Sequence, residues 1–178
     1  MKFSSYLDPN FIFTDLKGKN PEEIIVEMVE KIAEKDKKVK ASQVVIQEAI
    51  IRREREISTG IGSGIAIPHA RIENFNDFIV AIGLLDNPIE SEIAATNKSD
   101  KVDLVFLIIS DVLKNKNILK VMSAVSKLAL KQGELLEKIR KERNPKKIIE
   151  YFQAANIEFE HKICLLYTSP SPRDVEES

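Results

Sequence analysis

The sequence predicts an α/β domain in which a mixed β-sheet is sandwiched between amphipathic helices. Two continuous apolar runs, Phe78 to Leu85 and Val102 to Ile109, are bounded by polar turns, the pattern of strands covered on both faces. Stretches with apolar residues at helical spacing precede and follow them, and buried strands among amphipathic helices imply a sheet that is at least partly parallel. At 178 residues and 20.2 kDa the chain is long enough for one well-filled domain and too short for two ordinary ones.

Taken in order, Phe11 to Leu16 reads as a short strand or an extended lead-in. Asn20 caps a helix with Pro21 at its first position, where the missing N–H costs nothing, and Glu22 and Glu23 meet the positive end of its dipole. Ile24, Ile25, Met28, Val29, Ile32 and Ala33 recur at helical spacing in it. A second helix runs from Ser42 to about Glu54, with Val45, Ile46, Ala49 and Ile50 apolar and a charged end at Arg52 to Glu56. The pattern breaks at Ser58 to Gly64, where three of the six glycines fall within five residues, and Ile65 to Ile67 forms a short strand stopped by Pro68. Asp86 to Lys101, with its Asn87-Pro88 step, reads as a loop holding at most one edge strand. Asn115 or Asn117 opens a third helix carrying Leu119, Met122, Val125, Ser126 and Ala129 on one face. Glu134 to Arg143 and Pro145 to Ala155 complete the set. Residues 1–156 are read as one domain and 157–178 as a tail. The segment from Cys164 onward, with its two Ser-Pro steps and no periodicity, resembles translated adapter sequence and is set aside as non-native.

Composition removes several classes of function. Hydrophobic residues make up 43% and charged residues 31%, which excludes a disordered or collagen-like chain. The formal charge of −1 supplies no global field toward nucleic acid or anionic lipid. One cysteine and two histidines exclude a Cys/His zinc cluster, and a chain with at most one cysteine forms no internal disulfide, which points to a reducing, cytoplasmic compartment. No apolar run approaches the roughly 20 residues needed to span a bilayer, and no secretory signal is seen at the N-terminus.

The chemistry concentrates between Arg53 and Arg71, in R-E-R-E-I-S-T-G-I-G-S-G-I-A-I-P-H-A-R. Pro68 fixes the backbone that enters His69, so the imidazole is delivered from a stiff strand end. Gly60, Gly62 and Gly64 leave amide groups unobstructed for an anion nest, with the Ser58 and Thr59 hydroxyls and the Arg53 and Arg71 guanidinium groups close in sequence. A neutral imidazole among anion donors is equipped to attack a phosphoryl group and hold it. The residues alone leave the plainer reading open, because a histidine after proline and a cluster of glycines are commonly structural, and the arginines at 52, 53 and 55 commonly form a solvated helix end. The Walker A pattern G-x-x-x-x-G-K-[ST] is missing, so ATP binding has no support.

The motif R-E-x-x-x-S-T-G-I-G-x-G-I-A-I-P-H-[AG] resembles the active-site signature of enzyme IIA domains of the phosphotransferase system, mannitol/fructose class, which includes a nitrogen-related regulatory branch. The similarity extends from about Phe11 to about Phe152. The resemblance implies an α/β domain that takes a phosphoryl group on His69, by Nε2, from the phosphocarrier protein HPr. It places the motif arginine on Arg53 beside the phosphoryl oxygens, and it implies no metal and no organic cofactor. Many members carry a second active-site histidine at the start of the helix after the VFLI strand; here that position holds Ile118, which can neither hydrogen-bond a phosphoryl oxygen nor titrate. Ile118 is expected instead to offer an apolar docking rim around His69. His161 is given no role.

Three functions follow as expectations. In the leading one, His69 accepts from phospho-HPr and passes the group to a cysteine of a sugar-specific IIB domain, with no nucleic acid and no membrane insertion involved. In the second, phosphorylation of His69 switches binding to a regulatory target. In the third, the domain keeps the fold without transfer activity, a reading supported only by the missing second histidine.

Overall fold

A computed structural model describes residues 2–93, 96 and 98–155. The tail expected from 157 onward, with His161 and Cys164, lies outside the described residues.

Strand β1 (Ile12–Leu16) opens the sheet and makes the segment read as a strand or lead-in a strand from Ile12 on, with Phe11 ending a short 3-10 turn. Helix α1 (Pro21–Ala33) starts where its cap predicts: the Asn20 side chain accepts from the Glu23 N–H at 2.9 Å, and Glu23 reaches back to the Lys19 N–H at 3.0 Å. The six apolar residues expected on its inner face are all buried. A five-residue helix α2 (Lys37–Ala41), capped by Asp36, follows in the lysine-rich stretch after α1. Helix α3 (Gln43–Glu56) buries Ile46 and Ile50, whereas Val45 stays 61% exposed.

After α3 the chain makes three short strands, β2 (Gly60–Gly62), β3 (Ile65–Ala66) and β4 (His69–Ile72). Two long strands follow, β5 (Phe78–Glu92) and β6 (Ser99–Asp111). These two are longer than the apolar runs suggest. They pair antiparallel well past the core, out to Glu92 opposite Ser99, with a register shift between Leu84 and Ile89. Pro88 falls inside that irregularity, where a strand tolerates a residue without an N–H, so the segment read as a loop is largely the outer half of a hairpin.

The sheet order is β1-β5-β6-β3-β2, with β4 also on β6. β1 runs parallel to β5, and both β3 and β4 run parallel to β6, while the β5/β6 and β2/β3 pairs are antiparallel. The sheet is mixed, as predicted.

Alternation along the long strands divides the core in two. Ile79, Ala81, Val105, Leu107 and Ile109 pack with residues of α1, α2 and α3. Val80, Ile82, Leu84, Leu104, Phe106 and Ile108 face the opposite layer, formed by helices α4 (Asn115–Lys131), α5 (Gly133–Lys141) and α6 (Pro145–Ala155). Phe3, Phe106 and Phe152 meet edge to face there, with Phe3 and Phe152 at 5.3 Å. The inner face of α4 is Ile118, Val121, Ala124, Val125 and Leu128, rotated from the predicted stripe, and Leu119 is 60% exposed. Among the described residues no helix is long and apolar enough to cross a membrane, and no cluster of histidine, cysteine and carboxylate side chains gathers to hold a metal ion.

Candidate functional site

Pro68 interrupts the path from β3, and the strand resumes as β4 with His69 its first residue. The Pro68 carbonyl accepts from the Ile108 N–H at 3.0 Å, and His69 to Ile72 lie in register with Ile108 to Asp111. The histidine therefore stands on a paired strand rather than a loop. β4 pairs only with β6 in the sheet, so α3 packs along its other side and brings Arg53 to the ring.

Both ring nitrogens of His69 have partners. Nδ1 lies 2.9 Å from the Ile67 carbonyl oxygen, and the Arg53 Nε–H donates to Nε2 at 2.8 Å. A carbonyl can only accept and a guanidinium can only donate, so Nδ1 carries the proton and Nε2 holds the lone pair. Burial pushes the imidazole below its ordinary pKa, and the Arg53 and Arg71 charges push it further; the Ile67 carbonyl acts in the opposite sense. The ring is thus neutral near pH 7, with the nucleophilic nitrogen directed at an arginine.

His69 is only 3% exposed, yet it is not sealed in the apolar interior. It lines a pocket of about 260 Å³ shared with Arg52, Arg53, Glu56 and Arg71. Arg53 is itself exposed, so the cover over Nε2 is a long surface side chain and not the core.

The glycine segment lies differently from the sequence expectation. None of Ser58, Thr59, Gly60, Gly62 and Gly64 lines this pocket. The Gly64 N–H donates to Asp100 at 2.9 Å, the Ser58 hydroxyl donates to the Glu92 carbonyl at 2.6 Å, and a Cβ on Gly60 would collide with that same carbonyl. Gly62 and Gly64 take positive φ, 87° and 75°, to turn β2 into β3. These glycines build a tight hairpin, and the amide of Gly64 is already spent on a carboxylate.

Thr59 acts at one remove. Glu54, next to Arg53, accepts from the Thr59 hydroxyl at 2.7 Å and from its N–H at 3.0 Å, and the Thr59 carbonyl accepts from the Ile67 N–H at 3.2 Å. Ile67 in turn accepts from His69 Nδ1. The bonds close a ring through Arg53, Glu54, Thr59, Ile67 and His69, which fixes the histidine and the arginine relative to one another. Glu54 and the Ile67 carbonyl were not singled out by sequence reasoning; the spacing Glu54-x-x-x-x-Thr59 was the available signal.

Ile118 requires a correction. It is 2% exposed and packs in the core layer of α4 to α6, so it cannot serve as a rim for a docking partner.

The arrangement defines an α/β domain in which one imidazole, capped at Nε2 by Arg53, lines a pocket shared with two further arginines. The chain belongs to the type 2 enzyme IIA family: residues 5–155 match the family described as "Phosphoenolpyruvate-dependent sugar phosphotransferase system, EIIA 2". It is 32% identical over 142 residues to the PTS system fructose-specific EIIABC component of Bacillus subtilis, covering 80% of this chain and 21% of that protein. It is 26% identical over 148 residues to a nitrogen regulatory protein of Bradyrhizobium diazoefficiens, covering 83% of this chain and 92% of the relative. The chain thus spans about a fifth of one relative and most of the other. Among solved structures, the nitrogen regulatory protein IIA-Ntr of Neisseria meningitidis superposes with a TM-score of 0.65 at 20% identity, covering 84% of this chain and 97% of that one. A complex of mannitol enzyme IIA with phosphorylated enzyme IIB from Escherichia coli gives 0.62 at 16% identity, covering 83% and 97%. At these identities the structural likeness concerns the fold.

Proposed function

We propose that this domain takes a phosphoryl group from phospho-HPr on His69 Nε2 and passes it to a cysteine of a IIB domain. The observation that carries the reading is the Arg53 Nε–H···Nε2 bond at 2.8 Å, combined with an Nδ1 proton held by the Ile67 carbonyl. An imidazole in that tautomer attacks through Nε2 without first losing a proton.

In the transfer step the P–N bond to the donor imidazole breaks as a P–N bond to Nε2 forms. His69 keeps its Nδ1 proton and becomes a phosphoimidazolium, and the donor ring, protonated on its other nitrogen before transfer, leaves as neutral imidazole. The Arg53 Nε–H has to leave Nε2 before the lone pair can attack, and the same guanidinium then meets the phosphoryl oxygens as a fork. Phosphoryl transfer relies on positioning and charge stabilisation, which the paired strand under His69 and the guanidinium groups of the pocket would supply. The likeness to a sugar-transport component and to a IIA solved with its phosphorylated IIB supports a IIB domain as the acceptor.

A regulatory reading rests on the similar nitrogen regulatory protein: phosphorylation of His69 adds up to about two negative charges to the pocket and changes what binds there. Both readings require the same covalent event. Incubation with phosphoenolpyruvate, enzyme I and HPr, followed by intact mass, is expected to show an acid-labile phosphate adduct that His69→Ala abolishes. No adduct on the parent chain, with a working donor system, leaves only a fold without transfer activity. A reconstituted IIB acceptor that discharges the adduct selects the transport reading over the regulatory one.

A further inference from the structure

Among the described residues, the arginines outside the pocket are engaged. Arg55 pairs with Glu22, Arg140 with Asp103, and Arg143 donates to the Arg140 carbonyl. Within the pocket Arg53 is engaged with His69, while Arg52 and Arg71 make no hydrogen bond or ion pair to a described residue. Both unpartnered guanidinium groups therefore belong to residues that line the same pocket as His69. Of the two, Arg52 has a carboxylate, Glu56, one helical turn away in the same pocket to offset its charge. Arg71 has no such neighbour on its own strand.

We propose that Arg71 is a second phosphoryl-binding cation of this site. The inference deepens the proposed function and rests on its reading of His69 as the acceptor. Ala70 and Ile72 turn into the α1–α3 core layer, so alternation sends His69 and Arg71 out of the same face of β4. Two residues along a strand place their Cα atoms about 6.6 Å apart, within the reach of an arginine side chain. The register of Arg71 with Ser110 holds its backbone in place, and its charge already acts on the ring, lowering the imidazole pKa together with burial and Arg53.

The need for a second cation follows from what Arg53 does at rest. Its Nε–H occupies Nε2, so as the incoming phosphorus approaches that nitrogen, Arg53 is leaving it. Arg71 has no bond to break and meets the three phosphoryl oxygens throughout. Ile118, buried in the layer of α4 to α6, supplies no such contact. Arg71 carries the charge instead.

The test compares the parent with Arg71→Gln, Arg71→Lys and, as a control in the same pocket, Arg52→Gln. Both positions are exposed, so each of the three variants is expected to melt within a few degrees of the parent. Single-turnover transfer from phospho-HPr is expected to slow about ten- to a hundredfold in Arg71→Gln, with Arg71→Lys recovering most of the loss and Arg52→Gln changing it less than threefold. The ³¹P resonance of the phosphoform, followed against pH, is expected to titrate at higher pH in Arg71→Gln, because a positive charge no longer opposes the protonated ring. Transfer within twofold of the parent and an unmoved titration in Arg71→Gln would overturn the proposal. Equal losses in Arg71→Gln and Arg52→Gln would overturn it as well, since a diffuse field would explain both. A parent chain that acquires no phosphate sinks the acceptor reading itself, and the Arg71 proposal with it.

Discussion

Replacing Arg53 separates its two duties. In the resting protein its Nε–H caps Nε2 at 2.8 Å, and in the proposed transfer the same guanidinium binds the phosphoryl oxygens. Loss of one donor aimed at developing charge costs about 2.7–4 kcal/mol, or 10²- to 10³-fold in rate. Against that, the resting bond to the lone pair stabilises the acceptor before reaction, and a hydrogen bond from a charged donor contributes about 1.5–3 kcal/mol, less at an exposed side chain. The two act on the barrier in opposite directions, so Arg53→Gln is expected to slow transfer by a net factor of about 10–100 rather than the full loss. Arg53→Lys keeps the charge and loses the planar fork, and is expected to fall between the two. Rapid-quench single turnover with phospho-HPr reads the rate. The ¹⁵N resonance of Nε2 checks the resting bond, shifting in both variants while Nδ1, held by the Ile67 carbonyl, does not. A Gln variant that accepts phosphate as fast as the parent, or faster, would show that Arg53 is only a lid, and the stabilising role assigned to it would fall.

Three further outcomes follow from the geometry. Thr59→Val removes the hydroxyl bond to Glu54 from the ring of contacts joining Arg53 to His69; it is expected to slow transfer about three- to tenfold, with about 1 kcal/mol lost in urea unfolding, and the analogous Glu54→Gln to do no less. The His69 imidazole is held below its ordinary pKa, so the unfolded chain binds a proton before the native one does. Its contribution to stability is complete above roughly pH 6.5 and is lost as pH falls from there through the folded value, so His69→Gln is expected to flatten the acid-side slope of stability against pH. Ile118→Asp is expected to lower the melting temperature sharply because it buries an unpaired carboxylate; a stable variant impaired only in docking would contradict the core placement of Ile118.

What the sequence made legible was the local chemistry. The Asn20-Pro21 start of α1, the apolar stripe behind it and the twin buried strands each follow from residues within a few positions of one another, and the structure keeps them. The motif likewise identified a histidine delivered by proline and an arginine one helix earlier, and the fold brings that pair to 2.8 Å. The misread features are those decided by distant partners. The glycine amides read as an anion nest because nothing near them in sequence reveals that Asp100 takes the Gly64 N–H and that Glu92 crowds Gly60. The outer halves of β5 and β6 are polar, and only their mutual pairing across the Glu92–Ser99 end makes them strands. On α4 the 3.6-residue period was visible, but its phase is set by which stripe meets the sheet, and a choice one residue away exposed Leu119 and buried Ile118.

The ring of bonds through Glu54, Thr59 and Ile67 explains why the motif needs its polar residues even though they do not reach the pocket. A histidine on an edge strand and an arginine on the last turns of a helix belong to elements that slide independently unless something ties the helix end to the strand. Glu54 makes that tie through two bonds to Thr59, and the Thr59 carbonyl passes it to Ile67, whose own carbonyl selects the tautomer of His69. The tether is built from backbone and short side chains, so it remains in place while the long Arg53 side chain leaves Nε2. In the proposed transfer such a site keeps its nucleophile aligned while Arg53 moves, and Arg71, on the same strand as His69, needs no such movement.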